Sequence, residues 1–177
     1  YTDREMGRLL DVLGSETAVI MTGDHGEEFY EHGDYSHPKK LYDETIQVPF
    51  VMRVPDNRTV EKKQVSLLDV APTILDIVDE PIPSLMVGQN ILADGDRELT
   101  LAETNTDGET SLAVRTTDNK LIVQGQRREF YDLVEDPCEQ NDRSTVQNQT
   151  MEELRERVRQ FQAQHSIDYN GGDEELG

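Results

Sequence analysis

Cysteine is nearly absent. Cys138 is the single one in 177 residues, which excludes an internal disulfide framework and fits a reducing, cytoplasmic compartment. Long apolar runs are missing too: no stretch approaches the roughly 18 apolar residues of a membrane-spanning helix, so no such span is expected. Basic side chains are scarce, 17 against 37 acidic ones, which leaves a formal charge of −20. A polyanionic partner, whether nucleic acid or an anionic membrane surface, needs a basic footprint that this chain lacks. Surface acid in such excess suits a halophilic habitat, where salt screens self-repulsion, or else an ordinary acidic surface. Composition says nothing about oligomeric state.

What is present suffices for a core. A chain of this length that is 34% hydrophobic builds one or two domains. It opens on Tyr1 rather than Met, and Met6, Leu9, Leu10 and Leu13 already recur at helical spacing, so a piece of a longer protein is expected. The most informative segment is Thr17 to Gly26, TAVIMTGDHG. An apolar strand that delivers two adjacent metal-capable side chains into a glycine turn is how an α/β sheet presents ligands at a strand's carboxyl edge. Asp24 and His25 are therefore the first functional candidates. The alternative is that Asp24 caps the following turn while His25 simply packs.

Val48 to Val54 is a second strand candidate, closed by Pro55 and Asp56, and Asp56 to Lys63 reads as a polar loop. Ser66 to Val78 carries a broad apolar helical face with Ser66 as its cap, and Pro72 predicts a kink or a fresh helix start there. Pro81, Pro83 and Gly88 mark a turn-rich connector. After about residue 94 the pattern changes to successive short strands: Leu99 to Glu103, Ser111 to Thr116, Lys120 to Gln124, then Phe130 to Leu133 as an edge strand or turn. Met151 to His165 predicts a helix capped by Thr150, and Asn170 to Gly177 an acidic, glycine-rich tail.

Three blocks together resemble the sulfatase family of the alkaline-phosphatase-like superfamily. The first is Gly23-Asp24-His25-Gly26-Glu27 with Glu31-His32-Gly33, Leu41-Tyr42-Asp43-Glu44 and Val48-Pro49-Phe50. The second runs from Val65 to Asp76. The third is Glu129-Phe130-Tyr131-Asp132-Leu133, continuing through Asp136-Pro137-Cys138-Glu139 to Asn141. The resemblance implies the C-terminal half of such an enzyme. Its fold class would be α/β: part of a mixed sheet flanked by helices, followed by a small subdomain of four antiparallel strands and a C-terminal helix. The change of pattern sets the boundary, giving 1–93 as the end of the catalytic domain and 94–177 as the subdomain.

The implied activity is metal-dependent hydrolysis of a small-molecule sulfate ester, which needs a nucleophile, a cation to neutralise the transferred group's oxygens, and an acid for the leaving oxygen. The family's nucleophile is a formylglycine made within Cys/Ser-x-Pro/Ala-x-Arg, a motif expected to be absent from this chain and to lie elsewhere in the enzyme. Cys138, followed by Glu139 to Asp142, lacks its Pro/Ala and Arg. By resemblance Asp24 and His25 are metal ligands, completed by acidic residues elsewhere in the enzyme. A hard oxygen site favours Ca²⁺, whereas a His ligand also admits Mn²⁺ or Zn²⁺. The family also carries a Lys or His just before the Leu-Tyr-Asp/Glu block that binds sulfate oxygens or protonates the leaving group. Counting back from Tyr42 lands on Pro38, so His37 is assigned that role, with Lys39 and Lys40 next.

Glu27, Glu28, Glu31 and His32 read as a solvated acidic loop rather than a second metal cluster, with ordering of that loop the role left to His32. Arg115 and Lys120 read as surface charges, with a substrate-facing role the alternative. Asn57-Arg58-Thr59 and Asn148-Gln149-Thr150 fit the glycosylation acceptor pattern. The rival functions are a phosphodiester or phosphonate monoester hydrolase of the same superfamily and a noncatalytic sulfatase-like binding module.

Overall fold

The computed structural model describes residues 1–36, 40–55, 64–93, 95–106, 108–146 and 148–165. The polar loop 56–63, the first acceptor pattern from Asn57 and the acidic tail fall outside the described residues. The chain packs as two compact units, Tyr1–Pro38 with Tyr42–Thr100, and Lys39–Leu41 with Leu101–Gly177.

In the first unit, helical periodicity produces α1 (Thr2–Val12). The apolar run that precedes the Asp-His pair forms β1 (Val19–Thr22), which pairs antiparallel with β4 (Phe50–Arg53) in the register Val19 to Arg53 and Thr22 to Phe50. Between them lie a two-stranded hairpin, β2 (Glu28–Phe29) and β3 (Tyr35–Ser36), and the single-turn helix α2 (Asp43–Ile46).

The Ser66 segment starts as the sequence predicts. Ser66 Oγ accepts from the Leu68 amide at 3.3 Å, while the Asp69 carboxylate accepts from the Ser66 amide at 2.9 Å. This reciprocal capping box closes a 3₁₀ turn over Leu67–Asp69 that runs into α3 (Val70–Ile77). Pro72 sits in the first turn of α3, where its missing N–H has no intrahelical partner to lose. Asp69 is 2% exposed and also accepts from the Gln89 amide at 2.7 Å and from the Arg97 guanidinium, so it is an architectural residue. Thr73 continues the tie, with Oγ1 accepting from the Ile91 amide at 2.9 Å. The connector passes so close that a Cβ on Gly88 would lie 1.9 Å from the Leu68 carbonyl oxygen.

The second unit is a four-stranded sheet in the order β5 (Thr100–Thr106), β6 (Glu109–Arg115), β7 (Asn119–Gln124), β8 (Arg127–Asp132), which leaves β8 as an edge strand. The pairs β6–β7 and β7–β8 are antiparallel. Residues of both parities are buried in the central strands, Leu112, Ala113 and Val114 on β6 and Leu121 and Ile122 on β7. Helix α4 (Gln149–His165) packs on β6 and β7 through Met151, Leu154 and Val158, each worth about 1.5–3 kcal/mol of apolar burial. Its cap is Asn148 rather than Thr150: Asn148 Oδ1 accepts from the amides of Thr150 at 2.8 Å and Met151 at 3.3 Å. The second acceptor pattern therefore begins on a residue already occupied in capping.

Lys120 corrects the surface expectation. It is fully buried, with Nζ 2.7 Å from Glu139 Oε1, and Glu139 is 1% exposed. Arg115 is half-buried and donates to the Thr116 carbonyl oxygen at 3.0 Å. Cys138 is exposed.

Candidate metal-binding turn

β1 ends at Thr22, and the chain turns through Gly23 to carry Asp24 and His25 off the strand. Gly26 fixes the far side of that turn: its amide donates to the Thr45 carbonyl of α2 at 2.8 Å. A Cβ on Gly26 would lie 2.0 Å from the Glu44 carbonyl oxygen and 3.2 Å from Thr45 Cα, both backbone atoms, so only glycine permits this approach.

His25 Nδ1 lies 2.8 Å from the Gly26 carbonyl oxygen. A carbonyl only accepts, so Nδ1 carries the proton in the neutral ring and Nε2 keeps its lone pair. Nε2 is 3.8 Å from Asp24 Oδ2, and both side chains are open to solvent, at 49% for His25 and 92% for Asp24. The other carboxylate oxygen of Asp24 accepts from the His25 amide at 3.1 Å, which holds the carboxylate beside the ring. The Gly26 carbonyl, then the Asp24 and Glu27 carboxylates, raise the His25 pKa above its usual value.

These two residues fit a shared divalent cation. Oxygen and nitrogen donors 3.8 Å apart can both reach one ion whose bonds are about 2.0–2.4 Å long. A metal-bound imidazole ordinarily donates its second N–H to a carbonyl or carboxylate, the bond His25 already makes. Among the described residues, no group of three or more His, Cys, Asp or Glu is placed to hold a metal, so the pair is an incomplete coordination set.

Of the other candidates, His37 and Lys39 lie outside the described residues. Lys40 is half-buried and belongs to the second compact unit. The acidic loop is only partly solvated. Glu27 and Glu31 are exposed, but Glu28 is fully buried, its Oε1 accepting from the amides of His32 at 3.0 Å and Asp34 at 2.7 Å. His32 is also largely enclosed: its ring stacks on Tyr42 with centroids 3.6 Å apart, and Nδ1 is 2.5 Å from Glu44 Oε1. What residue type alone did not supply is the partner of His32, Glu44, although both lie within the first motif block.

One further correction concerns the formylglycine pattern. Ser111-Leu112-Ala113-Val114-Arg115 satisfies Ser-x-Ala-x-Arg literally, so the pattern is not confined to sequence outside this chain. Its serine is 7% exposed within β6 and Cα-paired with Gln124 of β7. A serine enclosed in a paired strand has no open face for an incoming ester, and the match is a structural coincidence of strand composition.

Helices combined with antiparallel sheets, among them a four-stranded one, form an α/β fold shared with solved sulfatase-fold structures. A protein solved in complex with its substrate D-glucosamine-2-N,6-O-disulfate superimposes with a TM-score of 0.74 at 23% identity, covering 97% of this chain and 40% of that one. The phosphonate monoester hydrolase SpPMH from Silicibacter pomeroyi gives a TM-score of 0.69 at 18% identity, over 92% of this chain and 38% of that one. Residues 1–80 match the Sulfatase family model. The uncharacterized sulfatase YidJ of Escherichia coli K12 is 34% identical over 101 residues, 52% of this chain and 20% of that protein. Canine arylsulfatase K is 36% identical over 87 residues, 48% of this chain and 16% of the relative. The chain is a partial sulfatase-like region, spanning about a fifth of the curated relatives it matches.

Proposed function

We propose that this region supplies the metal-holding turn of a sulfate ester hydrolase whose nucleophile, a formylglycine, and remaining metal ligands lie outside this chain. The observation that carries the reading is the orientation of His25. With Nδ1–H committed to the Gly26 carbonyl, Nε2 faces the same space as the Asp24 carboxylate. The bound cation, Ca²⁺ first and Mn²⁺ or Zn²⁺ as alternatives, would neutralise charge on the oxygens of the transferred group. Asp24 and His25 hold it, and Gly26 keeps the two donors on one side of the turn by anchoring to Thr45. His37, with Lys39 and Lys40 next, would face the sulfate oxygens or deliver a proton to the leaving oxygen.

A second reading, hydrolysis of phosphonate monoesters, is favoured by the fold shared with SpPMH. Assays of the intact enzyme with an aryl sulfate and an aryl phosphonate separate the two. In the same assays Asp24→Ala should lower turnover at least about a hundredfold, the scale of losing one electrostatic element of a site. A loss smaller than about threefold would remove Asp24 from the site. The 177-residue chain alone should bind metal weakly and show no turnover, and measurable hydrolysis by it would contradict the proposal.

A further inference from the structure

Resting on the metal-holding turn proposed above, we propose that His32 and Glu44 are positioning residues: together they clamp the loop 27–36 to α2, and through α2 they fix the Asp24-His25 turn. Two attachments to the same short helix carry this inference. The turn itself is tied by the Gly26 amide to the Thr45 carbonyl at 2.8 Å, with glycine-only clearance against Glu44. The loop that leaves the turn returns to the neighbouring residue of α2 through His32 Nδ1 and Glu44 Oε1 at 2.5 Å. The His32 ring is held flat on Tyr42, the residue preceding α2, with an interplanar angle of 11°.

The intervening chain needs such a hold. Tyr30 and Ser36 both sit in the left-handed region, at φ 82° and 75°, a conformation that costs a non-glycine residue about 1–2 kcal/mol. Buried Glu28 offsets part of this by collecting the His32 and Asp34 amides. The clamp from Glu44 to His32 closes the loop against α2, so the turn is pinned from both directions.

Side-chain partners that orient metal ligands typically control 10–100-fold in metal affinity. The test is calorimetric titration of the intact, chelator-stripped enzyme with Ca²⁺ and with Mn²⁺. His32→Phe keeps a ring to stack on Tyr42 and removes the Nδ1 donor, whereas His32→Asn keeps a donor at the Nδ1 position and loses the stack. A clamp predicts affinity weakened about 10–100-fold in H32F and within about threefold of wild type in H32N. The reverse order, or H32F within about twofold of wild type, would overturn it in favour of simple packing. H32F/E44Q, which neutralises the carboxylate left behind, takes the place of H32F if that variant does not fold, with the same expectation. Asp24→Ala in the same titration separates the two proposals: if it leaves affinity unchanged the metal turn itself falls, and if it abolishes binding while H32F does not, only the clamp falls.

Discussion

Gly26→Ala puts the construction of the turn to a direct test. The added methyl would stand 2.0 Å from the Glu44 carbonyl oxygen, 2.9 Å from its carbon and 3.2 Å from Thr45 Cα, all backbone atoms that cannot swing aside. Relief requires the turn to leave α2, which sacrifices the 2.8 Å bond from the Gly26 amide to Thr45. Overpacking costs about 1–3 kcal/mol and the bond about 0.5–1.5 kcal/mol, so local opening should become easier by about 1.5–4.5 kcal/mol. At 1.36 kcal/mol per factor of ten, amide hydrogen exchange across residues 23–47 should accelerate by about tenfold or more. Gly7→Ala is the control, because nothing lies within 4 Å of the methyl and the site is inside α1. There alanine should stabilise by about 0.5–1 kcal/mol. Exchange in G26A within about threefold of wild type would refute the argument that backbone proximity defines this turn.

Lys120→Met should destabilise the chain by about 3–5 kcal/mol, because Glu139 would be left buried without its ion-pair partner; Lys120→Met with Glu139→Leu should recover most of that in urea denaturation. Asn148→Ala should cost about 1 kcal/mol and appear as faster hydrogen exchange confined to the first turn of α4. Asp136→Ala removes the carboxylate that takes the Gln140 amide at 3.1 Å and the Asn141 amide at 2.8 Å. In the intact enzyme it should lower the melting temperature while leaving the ratio of aryl sulfate to aryl phosphonate turnover within about twofold, and a larger change would give the loop a role in selectivity.

Elements set by local pattern were legible in the sequence. The helices α1 and α4 follow from apolar spacing, β1 and β4 from short β-branched runs ended by turn residues, and the α3 start from Ser66, Asp69 and Pro72 acting within a few positions of one another. Distant pairings were not. A lysine inside a strand pattern reads as a surface residue, and only the folded loop that returns Glu139 to Lys120 makes it a core residue. His32 and Glu44, 12 residues apart, meet only because α2 lies beside the loop. The candidate pair Asp24-His25 was picked out in the sequence because its two members are adjacent and the glycines around them are explicit. The cap of α4 was missed for a narrower reason: threonine and asparagine are both good caps, and only geometry chooses Asn148.

The acidic excess gains a second explanation from the same contacts. Glu28, Asp69, Asp132, Asp136 and Asp142 each accept from two backbone amides: His32 and Asp34, Ser66 and Gln89, Val134 and Glu135, Gln140 and Asn141, Phe130 and Ser144. A carboxylate has several acceptor sites and no donor, so it can hold irregular backbone that neither helix nor sheet would satisfy. Four of these five residues fall within the second and third motif blocks or immediately beyond them. Those blocks therefore record how the loops are pinned, and they would serve a sulfate or a phosphonate ester hydrolase equally. The first block is different: Glu28 pins its loop, but Asp24 keeps a side chain 92% exposed beside an imidazole already oriented by Gly26. One oxygen of Asp24 accepts from the His25 amide while most of the carboxylate stays open beside a prearranged imidazole, which is why we propose the chemistry at this turn and not at the more heavily hydrogen-bonded carboxylates elsewhere.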